Sequence, residues 1–97
     1  MVKFSEKDGT LICTFEGLLN TVACNEMDAD LKEHVENTTG DVIFDLADTD
    51  YIASSFLRLC IFTAKAVGTE RFNIINTKKE IYDIFEMSGL DDLIKDE

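Results

Sequence analysis

Residues 41–60 read Asp41-Val42-Ile43-Phe44-Asp45-Leu46-Ala47-Asp48-Thr49-Asp50-Tyr51-Ile52-Ala53-Ser54-Ser55-Phe56-Leu57-Arg58-Leu59-Cys60. The first six form a short apolar run with acidic ends, the pattern of a central strand buried on both faces in a parallel sheet. A helical pattern then starts at Ser54 or Ser55 and runs to about Val67, where Gly68 supplies the stop. Phe72-Asn73-Ile74-Ile75 makes the next strand. Strand, helix and strand in this order form a βαβ unit. The spacing therefore predicts that Asp41–Leu46 and Arg71–Asn76 are adjacent or near-adjacent parallel strands.

Upstream, Val2 and Phe4 alternate with polar residues, as do Leu11, Cys13 and Phe15, and Asp8-Gly9 between them signals a hairpin turn. A helix from about Val22 to Asn37 follows, with Cys24, Met27, Leu31 and Val35 in one apolar stripe and Asn20 or Thr21 as its cap. Downstream, Thr77-Lys78-Lys79-Glu80 has the form of a capping box. The helix behind it carries Ile81, Ile84, Phe85 and Ser88 on one face and ends at Gly89, and Leu90, Leu93 and Ile94 pack a short tail. The predicted order is β-β-α-β-α-β-α in one α/β domain spanning residues 1–97. The sheet is mixed, of four or five strands, with the helices mainly on one face.

Composition narrows the function classes. The chain has 97 residues, 45% of them apolar, which suits one globular domain. A formal charge of -11 argues against nucleic acid and anionic membranes and favours a basic partner surface. No stretch approaches the roughly 20 apolar residues of a membrane span. The start turns charged too early for a secretory signal, so a cytoplasmic location is expected. Cys13, Cys24 and Cys60 lack metal spacing and read as buried, reduced thiols. No glycine-rich phosphate loop or Cys-x-x-Cys is present, and His34, the only histidine, reads as a surface or boundary residue. Asp45, Asp48 and Asp50 could be read as a metal site serving an enzyme, but their place after a strand end suggests a solvated loop. The chain is therefore expected to be neither an enzyme nor a cofactor or metal carrier.

The second helix is apolar on two sides. Leu57, Cys60, Ile61, Ala64 and Val67 fall on one face, assigned to the core. Leu59, Phe62 and Ala66 fall near the opposite face and are expected to meet a partner, unless a neighbouring helix covers Phe62. Two serines open the helix. They suit capping, but a helix N-terminus also holds a phosphate well.

At these residues the chain resembles the STAS domain family, typified by bacterial anti-sigma factor antagonists. The likeness rests on Asp45-Leu46 followed by Ala53-Ser54-Ser55-Phe56-Leu57, on Gly17-Leu18-Leu19-Asn20 before the first helix, and on Ile81–Leu90 at the last. The resemblance implies a STAS-like fold and a regulator that binds an anti-sigma factor with serine kinase activity. By this resemblance Ser54 matches the phosphoacceptor position, with a phosphatase expected to reverse the modification. The resemblance also implies docking through the loop and second helix, that is Asn20, Ala53, Ser55, Phe56, Leu59, Phe62 and Ala66. Three positions depart from the pattern: Ala53 and Asn20 replace aspartates, and Phe56 replaces a glycine, placing a large ring where kinase access favours none. The rival reading is a small-ligand sensor without phosphorylation.

Overall fold

The computed structural model describes residues 1–95. Strands β1 (Val2–Lys7) and β2 (Thr10–Leu19) form the hairpin. Helix α1 (Thr21–Asn37) leads to β3 (Val42–Ile52), and α2 (Ser54–Val67) leads to β4 (Phe72–Ile75) and α3 (Lys79–Met87). The sheet has four strands in the order β1-β2-β3-β4. The hairpin pair is antiparallel, and β3 is parallel to both β2 and β4, as the βαβ reading predicts.

One face of the sheet carries the core. Leu11 and Cys13 of β2 lie beside Val42 and Phe44 of β3, which lie beside Phe72 and Ile74 of β4. All six are buried, in one cluster with Leu31 and Val35 of α1, Phe56 and Cys60 of α2, and Ile81 and Phe85 of α3. Edge-to-face rings fill the layer between sheet and helices: Phe15–Phe44 at 4.8 Å, Phe15–Phe56 at 4.9 Å and Phe44–Phe72 at 4.8 Å. The opposite face keeps Ile12, Ile43 and Ile75 only half-buried. Strand β3 is therefore buried on one face, not two, because all three helices pack on the same side.

Strand β3 also runs further than its apolar start suggests. Along β2 the inward residues keep a period of two, from Leu11 to Leu19, whereas β3 buries Val42, Phe44, Leu46, Thr49 and Ile52. Two register shifts against β2, after Thr14 and after Gly17, absorb the extra residues. Asp45, Asp48 and Asp50 thus sit on a bulged strand rather than in a loop. Thr49 is turned inward, and its hydroxyl donates to the Phe15 carbonyl at 3.0 Å.

The start of α3 corrects one further expectation. The α3 N-cap is Lys78, without a side-chain cap bond, so Thr77-Lys78-Lys79-Glu80 forms no capping box. The chain leaves β4 through Asn76 at a φ of 59°, and Lys78 pairs with Asp50 at 2.8 Å, so the helix starts one residue late. At its other end, Leu90 N–H donates to the Phe85 carbonyl and Gly89 N–H to that of Glu86, a Schellman motif. The hairpin turn abuts the α1–β3 link so closely that a Cβ on Gly40 would lie 1.9 Å from the Gly9 carbonyl oxygen. All three cysteines are free and buried, and burial pushes the Cys13 thiol from 9.0 up to about 12.

Candidate functional site

The C-terminal ends of parallel strands are where α/β folds tend to place their binding sites. Here β2 and β3 end side by side, and Ala53 N–H donates to the Leu19 carbonyl at 2.9 Å. That bond ties the β3–α2 link to the β2–α1 link and brings Asn20 beside the start of α2. Asn20 caps α1 by accepting from Ala23 N–H at 2.9 Å. Ala53 is the N-cap of α2 but has no side chain to accept a bond. The serines therefore do not cap this helix; Ser54 is its first residue and is exposed.

The outer face read from the sequence is covered in part, at Leu59, and two further residues expected to dock, Ser55 and Phe56, lie inside. Phe56 is fully buried, Leu59 is 4% exposed and Ser55 9%. The Phe56 ring packs against Phe15 inside the core, so it does not stand in front of Ser54. Helix α1 packs along α2 and covers the side that the helical wheel leaves open. Phe62 is half-buried there, with Lys32 Nζ 5.1 Å from its ring centroid. Thr63 is buried and donates to the Leu59 carbonyl at 2.9 Å. Ile61, assigned to the core, is 36% exposed. Of the residues expected to face a partner, Asn20, Ser54 and Ala66 are exposed and Ala53 and Phe62 are half-exposed. Ser55, Phe56 and Leu59 are inside.

Three exposed apolar side chains near the site escaped the sequence reading. Leu18 is 61% exposed and pairs across the strands with Tyr51, 47% exposed, one step before Leu19 and Ile52. Val22, in the first turn of α1, is 64% exposed. One signal was available: of the consecutive Leu18 and Leu19 in a strand, only one can face the core.

A groove of about 200 Å³ runs between α1 and α2, lined by Cys24, Asn25, Asp28, Lys32, Ser55, Arg58, Leu59 and Phe62. Burial raises the Cys24 thiol, while the Ser55 hydroxyl and the Arg58 cation act against that rise. Two acidic residues of β3, Asp45 and Asp50, are occupied separately. Asp45 accepts from Ala47 N–H at 3.0 Å and from Asn76 Nδ2 at 3.1 Å, and Asp50 holds Lys78, whose ammonium is pushed up by that bond. Among the described residues no group of three or more His, Cys, Asp or Glu side chains is placed to hold a metal ion. His34 lies away from Ser54, stacked on Phe4 at 3.7 Å. No helix among the described residues is long and apolar enough to cross a membrane.

Comparison with known proteins adds to this geometry. Residues 1–96 match the model of the STAS domain. A relative from Bordetella bronchiseptica, BtrV, described provisionally as an anti-sigma factor antagonist, is 30% identical over 84 residues, covering 84% of this chain and 72% of BtrV. Two solved structures share the fold at 15% identity. The anti-sigma factor antagonist SpoIIAA in its unphosphorylated form has a TM-score of 0.80, over 97% of this chain and 85% of that one. The phosphorylated form of the Bacillus cell fate determinant SpoIIAA has a TM-score of 0.72, over 97% and 88%.

Proposed function

We propose, since this chain belongs to the STAS domain family, that it is a non-catalytic, protein-binding regulator of the anti-sigma factor antagonist kind, acting in the cytoplasm. Its partner is an anti-sigma factor with serine kinase activity, and its switch is Ser54. The observation that carries this reading is an exposed serine opening α2 where β2 and β3 end, beside the exposed Leu18, Tyr51 and Val22. Exposed apolar side chains of this size suit a protein surface better than water. The kinase transfers the γ-phosphoryl group of ATP: a bond forms between Ser54 Oγ and phosphorus, the bond to ADP breaks, and the hydroxyl proton passes to a base on the kinase. The product gains about -1.5 to -2 charges. An apolar docking surface then has to desolvate that charge, which weakens binding about tenfold for each 1.4 kcal/mol. A phosphatase hydrolyses the ester and restores docking.

Incubation with a purified anti-sigma serine kinase from the same genome and ATP, followed by phosphosite mapping, tests this reading. Phosphate is expected on Ser54 and not on Ser55, whose hydroxyl is buried. Ser54→Asp should stay folded and lose the partner, while Ser54→Ala binds it constitutively. No phosphate on Ser54, with binding intact in Ser54→Asp, overturns the switch.

A further inference from the structure

Ser54 and Arg58 lie one turn apart on α2, so their Cβ atoms are roughly 5–6 Å from each other on one helix face. Both are exposed. In a chain with 20 acidic residues and 9 Lys+Arg, Arg58 makes no ion pair or hydrogen bond among the described residues. The nearby cation Lys32 is engaged with Asp28 at 3.3 Å. Arg58 also lines the groove between α1 and α2. First-turn amides of a helix lack intrahelical acceptors. Neither Ala53 nor Asn20, the two neutral neighbours of the site, brings a carboxylate that would repel an anion.

We propose that Arg58 is the internal receptor of a phosphate on Ser54, assisted by the first-turn amides of α2; the inference rests on the reading of Ser54 as an acceptor. The guanidinium fork matches phosphate oxygens bidentately. Arg58 is free for a partner while Ser54 is unmodified and folds back once it is phosphorylated. Modification then changes the docking face twice, by adding negative charge and by withdrawing a cation. Among the described residues Asp28 is the one carboxylate lining the groove, and Lys32 pairs with it.

The test uses the full chain with phosphoserine installed at position 54 during translation, so no kinase is needed. The second pKa of the phosphate is read by phosphorus NMR. It should lie about 0.3–0.7 unit lower in the wild type than in Arg58→Gln, the shift expected of a partly exposed charge partner, and Arg58→Lys should recover part of the difference. Identical titrations in folded wild type and Arg58→Gln overturn the proposal. If Arg58→Gln does not fold, the wild-type Arg58 Nε–H resonance decides: it must move on phosphorylation, and an unmoved resonance overturns the proposal. Absence of a kinase for Ser54 would defeat the functional reading without altering this titration.

Discussion

Phe56 and Phe62 lie six residues apart on α2 and differ in what holds them. The Phe56 ring is fully buried between sheet and helices, so Phe56→Ala should cost about 3–5 kcal/mol in a urea unfolding experiment. Phe62 is half-buried under Lys32, and Phe62→Ala should cost about 1 kcal/mol, from lost packing and the cation–π contact. A melting temperature unchanged in Phe62→Ala would return that ring to the free surface assigned to it by the helical wheel. Sequence periodicity locates apolar faces but not what covers them. For Leu59 and Phe62 the cover is α1, some thirty residues upstream, which no local pattern reports. The position of Ser54, by contrast, is legible, because the change from strand to helical period falls at Ala53 and Ser54.

Among the elements, the strands and helices follow the sequence closely because their periods are set locally. The extent of β3 does not. Its two extra residues break the period of two after Leu46, so Asp48 to Asp50 resemble a loop, and only pairing with β2 keeps them in the sheet. Thr49 is the inward residue of that irregular stretch. Thr49→Val preserves its shape but removes the bond to the Phe15 carbonyl, leaving a buried acceptor unpaired. A loss of about 1–3 kcal/mol is expected from chemical denaturation. The α3 capping box failed for a similar reason: the Lys78–Asp50 pair joins β3 to the helix start across 28 residues. Gly40 shows the same dependence on distant chain. Gly40→Ala places its methyl group against the Gly9 backbone and should lower the unfolding midpoint.

For the molecule as a whole, one core serves every element, so its buried thiols report on global unfolding. Burial raises Cys13 from 9.0 to about 12. The folded protein therefore keeps that proton at a pH where the unfolded chain has lost it. The stability this represents is intact below pH 9.0 and is lost as pH rises towards about 12. Urea midpoints in neutral and alkaline buffer should diverge more for the wild type than for Cys13→Ala. All three thiols should resist alkylating reagents until the protein unfolds. The contact between Gly9 and Gly40 also bears on engineering. Hairpin tips are normally permissive places to graft an epitope or a reporter peptide. Here the tip rests on the link that enters the central strand, so a graft at Asp8-Gly9 would pry open the sheet it decorates, and the exposed end of α3 around Met87 is the better attachment point.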